Sequence, residues 1–256
     1  MTKFSANLGL LWSDRPLPDA IRAAKVAGFD AVECHWPYEA SADDVIAALR
    51  ETGLEMLSLN TRRGDVAAGD NGLAALPSRE QDARAVIDEA IAYAARIGAG
   101  NVHVMAGYAH GEDAERTFLA NLGYAATQAA SRGITVLIEP LNSYDVPGYF
   151  LSTTSQAAAI ISTIGADNLK LLFDCYHVQL MEGDLTHKLA KLMPIIGHIQ
   201  FAAVPDRGPP DHGEIAYEHI FRVVAELGYD APLGAEYKPM LATEATLDWL
   251  KSYRGI

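Results

Sequence analysis

Cysteine is scarce: the 256-residue chain holds only Cys34 and Cys175. Two thiols cannot build a disulfide framework, which points to a reducing cytoplasm rather than to secretion. Basic residues are in deficit, with 20 Lys plus Arg against 33 Asp plus Glu and a formal charge of −13. No positive field gathers a polyphosphate, so nucleic acid is not expected as a partner. No apolar stretch approaches the ~20 residues that cross a bilayer. The first residues carry one Lys and a short apolar run before Ser13 and Asp14, the pattern of neither a signal peptide nor an anchor, so no membrane partner is expected. A GxGxxG is also missing. Residues 7–12 offer a pyrophosphate only Gly9, which removes the main support for a doubly wound dinucleotide-binding sheet.

What is present is a chain half hydrophobic and 21% charged, enough for a sizeable core in one domain. Short apolar runs alternate with longer helical patterns from end to end without a linker. Strands are expected at 4–10, 31–36, 55–60, 101–107, 135–140, 169–176, 196–202 and 232–237, and helices at 17–27, 42–52, 79–97, 114–131, 156–164 and 217–227. Gly28, Gly53, Gly98, Gly133 and Gly228 each follow a last apolar turn, where a helix ends in a left-handed residue. Eight βα units in this length predict a (β/α)₈ TIM barrel, one domain over residues 1–256, with its chemistry at the carboxyl ends of the strands.

Four consecutive strand candidates end in an oxygen donor: Glu139 before Pro140, then Asp174, Gln200 and Glu236. One acidic residue after a strand is most often a solvated end or a helix cap. Four in register on successive units are harder to dismiss. Three carboxylates pressed together repel unless a cation neutralises them, so the set predicts a divalent metal. Donors that are all hard oxygens favour Mg²⁺ or Mn²⁺ over structural Zn²⁺. Residues two apart on a strand share a face, which puts Leu137, Leu172, His198 and Gly234 beneath the four, with His198 as a supporting residue behind the ligands. His177, just past the sixth strand, is expected to reach a substrate oxygen. Arg207, in the long loop after the seventh, is a candidate for binding an anionic substrate.

The segments Glu139-Pro-Leu-Asn142, Asp145-Val-Pro147-Gly148, Asp174-Cys-Tyr176-His177-Val-Gln179, Gly197-His198-Ile-Gln200, His212-Gly213-Glu214-Ile and Glu236-Tyr-Lys238-Pro together resemble hydroxypyruvate isomerase, within the xylose-isomerase-like barrel superfamily. The resemblance runs over nearly the whole chain. It implies a metal held by Glu139, Asp174, Gln200 and Glu236, with Glu139 and Glu236 also the catalytic acid and base. The reaction it implies is interconversion of hydroxypyruvate and tartronate semialdehyde through a cis-enediolate, without a redox cofactor. The substrate is then a small hydroxy-keto acid or sugar, and its carboxylate needs a cation. Arg62, Arg63, Arg207 and Lys238 follow strands on the catalytic side, Arg62 and Lys238 being the first choices. Trp12, Trp36 and Tyr176 are candidates for an apolar wall. Alternatives are a 2-oxo-tetronate isomerase, a ketose C3-epimerase, a catalytically silent sugar-binding barrel, or an apurinic endonuclease. The last needs a histidine-built zinc cluster, for which His103, His110, His177, His198 and His212 are available, but the acidic charge opposes DNA binding. A homo-oligomer is compatible with the sequence, which carries no readable symmetry.

Overall fold

Alternating apolar runs and helical patterns fold as alternating strands and helices. The structure, a computed structural model, describes residues 2–255. In chain order these form β1 (Phe4–Asn7), α1 (Leu17–Ala27), β2 (Ala31–Glu33), α2 (Ala42–Thr52), β3 (Glu55–Met56), β4 (Ser58–Asn60), α3 (Glu80–Ile97), β5 (Asn101–His103), α4 (Gly111–Ala130), β6 (Thr135–Ile138), α5 (Thr154–Ile164), β7 (Leu169–Asp174), α6 (Cys175–Met181), α7 (Leu185–Leu192), β8 (Ile196–Phe201), α8 (Tyr217–Glu226), β9 (Leu233–Ala235) and α9 (Asp248–Tyr253). The strands pair in the order β3-β2-β1-β9-β8-β7-β6-β5-β4, and every pairing is parallel.

The two ends of that order are one stretch of chain. Only Leu57 separates β3 from β4; its N–H bonds to the Val32 carbonyl and its carbonyl accepts from the Asn101 N–H. Residues 55–60 thus serve as one stave, paired to β2 on one side and β5 on the other, and the sheet closes as a (β/α)₈ barrel. Several strands are shorter than expected because polar residues turn the chain. The Asn7 carbonyl takes the N–H groups of Leu10 and Leu11, ending β1 before residue 10. Asp174 Oδ1 accepts the Tyr176 N–H at 2.8 Å, so 175–176 begin α6 instead of extending β7. The helices α6, α7 and α9 were not among those expected. All five glycines singled out by position have positive φ, from 67° to 96°, as helix ends require. No described helix is long and apolar enough to cross a membrane.

Alternation along the strands divides two cores. Phe4 and Phe201 point outward to α8 and α9, where they meet Phe221 and Trp249 with ring centroids 5.0 to 5.8 Å apart. Ser5, Asn7, Glu33, His198 and Gln200 point inward and are buried. An interior so polar is unusual for a barrel normally filled by branched apolar side chains, and it lies directly under the carboxyl ends.

Trp249 seals the outer core through α9, and its indole N–H reaches the Tyr237 hydroxyl at 3.2 Å. Trp249→Ala is expected to cost ~3–5 kcal/mol, because the surrounding rings close over the lost volume only in part. Urea unfolding measures this; a loss below about 1 kcal/mol, typical of surface sites, would show that α9 does not hold the barrel wall.

Candidate active site

Glu139 directly follows β6, Asp174 ends β7, Gln200 lies in β8 and Glu236 directly follows β9. Asp174 and Gln200 are register partners, so the parallel pairing brings the four to one end of the barrel. Oxygens of Glu139, Asp174 and Glu236 and a ring nitrogen of His177 lie within 4.8 Å of one another, and all four residues are buried.

The three carboxylates are treated differently. Glu236 is well supplied: Oε1 accepts from Asn7 Nδ2 at 2.9 Å and His35 Nε2 at 2.8 Å, and Oε2 from Arg207 Nη2 at 2.5 Å. Glu139 has only two more distant rings, His103 at 3.6 Å from Oε2 and His177 at 3.9 Å from Oε1. Asp174 spends Oδ1 on the start of α6, while Oδ2 stands 3.7 Å from His177 Nε2 and 4.0 Å from Arg207 Nη2. Three buried oxygens, Glu139 Oε1, Asp174 Oδ2 and Gln200 Oε1, have no hydrogen-bond donor. Buried acceptors are rarely left so, and a hard cation would satisfy all three. The donor set therefore fits Mg²⁺ or Mn²⁺.

Electrostatics follow from this geometry. Burial, reinforced by Glu236, pushes the Glu139 carboxyl well above the usual carboxylate range and Asp174 up to about 8. Burial pushes Glu236 the same way, but Arg207 and His35 outweigh it and hold it far below that range. His177 and His103 are forced down to about 3 and about 4, chiefly by burial. His177 Nδ1 accepts the Asn142 N–H at 3.0 Å. Its proton is therefore on Nε2, facing the carboxylates, where it can donate a hydrogen bond.

The other sequence candidates divide. His198 lies beneath the cluster, with Nε2 2.5 Å from Glu33 Oε2 and Nδ1 3.4 Å from the Tyr229 hydroxyl. Arg207 reaches the site from a backbone at φ 55°, and lies 5.2 Å above the Tyr176 ring. Its chain is pinned by the Lys238 N–H, which bonds the Arg207 carbonyl at 2.7 Å. Arg62 is a correction: it is engaged away from the cluster, by Glu89 at 2.8 Å, Glu39 at 3.2 Å and the Tyr38 ring. The Lys238 side chain is exposed, so its contribution here is its backbone. Trp12 is buried, with its indole on Glu244 and its ring against Phe29; it forms no wall of the site. Trp36 packs beside His35, and the Tyr176 ring lies under the Arg207 guanidinium with its hydroxyl on Asp145. His110 and His212 are exposed, so the five histidines do not gather.

Sequence reasoning missed Glu33, Asn7 and His35. Glu33 accepts Gln200 Nε2 at 2.7 Å. His35 borders a cavity of about 520 Å³ between the loops after β1 and β2, lined also by Leu8, Gly9, Arg15, Cys34 and Trp36. Glu33 could have been found by the test applied to the later strands, since it too is a carboxylate ending an apolar run.

The shifted groups fix a pH dependence. Ordinary histidines lose their protons around pH 6.5, so the depressed His103 and His177 add a smaller slope of opposite sign near pH 6.5 and almost none above about pH 7.5. Asp174 and Glu139 hold protons in the folded chain that the unfolded chain has lost, so stability should fall as pH rises from about 6.5 toward 8. His212, raised by Asp206 and Asp211, contributes in the same direction. Thermal melts of chelator-treated protein across this range should show the decline, and Mn²⁺ should remove the part due to the cluster. A flat profile without metal would contradict the raised carboxyls.

The chain matches the family model described as xylose isomerase-like TIM barrel over residues 21–253. It is 47% identical to 2-oxo-tetronate isomerase of Cupriavidus necator over the whole of both chains. It is 38% identical to hydroxypyruvate isomerase of Escherichia coli K12, covering 99% of this chain and 100% of that one. A solved Brucella melitensis structure, named as an AP endonuclease of family 2, superposes with a TM-score of 0.95 at 38% identity, covering 99% of this chain and all of the other. With the barrel closed and the polar cluster at its carboxyl end, these matches establish that the chain belongs to the xylose isomerase-like TIM barrel family.

Proposed function

We propose that this protein, a single barrel domain over residues 1–256, is a divalent-metal-dependent isomerase that interconverts hydroxypyruvate and tartronate semialdehyde through a cis-enediolate. The observation that carries the reading is the set of three donorless buried oxygens on Glu139, Asp174 and Gln200, with Glu139 and Asp174 gathered against Glu236. The isomerase names of the Cupriavidus and Escherichia relatives support the reaction class. Two buried, unpaired cysteines suit a reducing cytoplasm.

Glu139, Asp174, Gln200 through Oε1, and Glu236 would hold Mg²⁺ or Mn²⁺. When bound, the ion supplies positive charge against the negative charge that develops on adjacent substrate oxygens. The remaining work belongs to side chains. One glutamate takes the carbon-bound proton from C3, and the other returns a proton to C2. The hydroxyl proton lost at C3 has its counterpart in one gained at the C2 oxygen. His177, with its Nε2–H directed into the cluster, is placed to hydrogen-bond that oxygen. Arg207 is the cation nearest the carboxylates and offers the substrate acid a planar fork.

A second reading, 2-oxo-tetronate as substrate, is favoured by the 47% identity to the Cupriavidus relative. The chemistry is unchanged. The endonuclease name of the Brucella structure is opposed by the −13 charge and by a cluster built from oxygen donors.

Chelator-treated protein reloaded with Mn²⁺ should convert hydroxypyruvate to tartronate semialdehyde, with the ratio of kcat/KM for hydroxypyruvate and 2-oxo-tetronate choosing between the two acids. Glu139→Gln and Glu236→Gln should each lower kcat by ~10²–10⁴-fold. In D₂O, the variant that keeps the abstracting glutamate should wash deuterium into substrate without making product. Normal product formation by either variant would refute the two-glutamate chemistry, and failure of the wild type on both acids would refute the function.

A further inference from the structure

Glu33 closes β2 inside the barrel with none of its side chain exposed. Four donors converge on it. Gln200 Nε2 at 2.7 Å and Asn7 Nδ2 at 3.1 Å bond Oε1. His198 Nε2 at 2.5 Å and Ser5 Oγ at 3.3 Å bond Oε2. A carboxylate has about four lone-pair sites, so its accepting capacity is filled. Room for it comes from Gly234, where a Cβ would lie 2.7 Å from Glu33 Oε1 and 2.8 Å from Gln200 Cγ.

This arrangement selects one face of the Gln200 amide. Turned the other way, the amide would set its carbonyl oxygen 2.7 Å from a carboxylate oxygen with no hydrogen between them, a repulsive contact in a medium that screens poorly. With the NH₂ on Glu33, the atom left without a donor is Gln200 Oε1, on the residue in register with Asp174.

We propose that Glu33 is a positioning residue, which turns the Gln200 amide so that its carbonyl oxygen, and not its nitrogen, faces the cation site. The inference rests on the reading of Glu139, Asp174, Gln200 and Glu236 as cation ligands. It gives a purpose to buried polar groups that the reaction does not touch. His198 and Ser5 hold Glu33 from the far side. Asn7 Nδ2 ties Glu33 to Glu236, at 3.1 and 2.9 Å, so two ligand residues are braced from one network. The hydrogen bond to Glu33 also polarises the amide and strengthens its oxygen as a donor to a hard ion.

Mn²⁺ binding to the full-length, chelator-treated protein, measured by calorimetry and by the paramagnetic resonance of free Mn²⁺, tests this without reference to turnover. Glu33→Gln keeps the side-chain size but allows position 33 to donate, which frees Gln200 to turn; Mn²⁺ affinity should fall by ~10- to 100-fold, the range for a supporting carboxylate. Gln200→Glu alone sets a second acid against Glu33 and should also weaken binding. Glu33→Gln combined with Gln200→Glu exchanges amide and acid, presents an oxygen to the ion in either orientation, and should regain affinity to within a few-fold of wild type. Wild-type affinity in Glu33→Gln, or no rescue by the double variant, overturns the proposal. Should Glu33→Gln fail to fold, the double variant compared with Gln200→Glu decides by the same rescue. A wild-type protein that binds no Mn²⁺ overturns the cation reading itself, and this inference with it.

Discussion

Four carboxylates, Glu33, Glu139, Asp174 and Glu236, are buried in one barrel, and the need to compensate them governs the rest of the site. Each ionised acid taken out of water costs several kcal/mol unless donors or charges replace the lost hydration. Glu33 is compensated by four hydrogen-bond donors, and Glu236 by a cation, an imidazole and an amide. Glu139 and Asp174 are compensated only in part, which is why their carboxyls are displaced upward and why each keeps an oxygen without a donor. The compensation is uneven, complete at Glu33 and Glu236 and incomplete at Glu139 and Asp174, where a ligand is to enter.

The same compensation also accounts for the folding of nearby segments. Asp174 divides its two oxygens between the first turn of α6 and the cluster, so the residue that ends β7 also starts the helix carrying Tyr176 and His177. Asn142 fixes the His177 tautomer through its backbone N–H. Arg207 must enter from a strained left-handed backbone, and the Lys238 N–H holds it there. Loops of a barrel vary freely in principle, but here their main chains orient the charged groups.

The eight-stave rhythm and the four strand-end oxygens were legible in the sequence because both follow from period. Apolar runs set the strands, and a polar residue at the end of each run has nowhere to go but the mouth. Arg62 and Lys238 share that apparent position but not that fate. A long exposed side chain is placed by whichever acid is nearest, and Glu89 on α3 together with Glu39 draws Arg62 outward. No local pattern records a partner 27 residues away. The short helices α6, α7 and α9 have too few turns to show a period. Glu33 stood in plain view as a carboxylate ending an apolar run, but its role did not: its partners, Gln200 and His198, are 167 and 165 residues distant, so that role exists only once the barrel has closed.

Gln200 shows why a neutral donor belongs among these acids. The divalent ion that the site fits, together with Arg207, balances Glu139, Asp174 and Glu236 without excess. A carboxylate at position 200 would add a charge directly against Glu33 and would oppose the entry of an anionic substrate, whereas an amide gives the ion an oxygen at no cost in charge. The amide's weakness is that its two ends differ and can exchange by rotation, so an amide ligand needs something behind it to choose the end. In this barrel that choice falls to a fully buried acid, Glu33, and Gly234 is the absence of a side chain that lets the acid reach it.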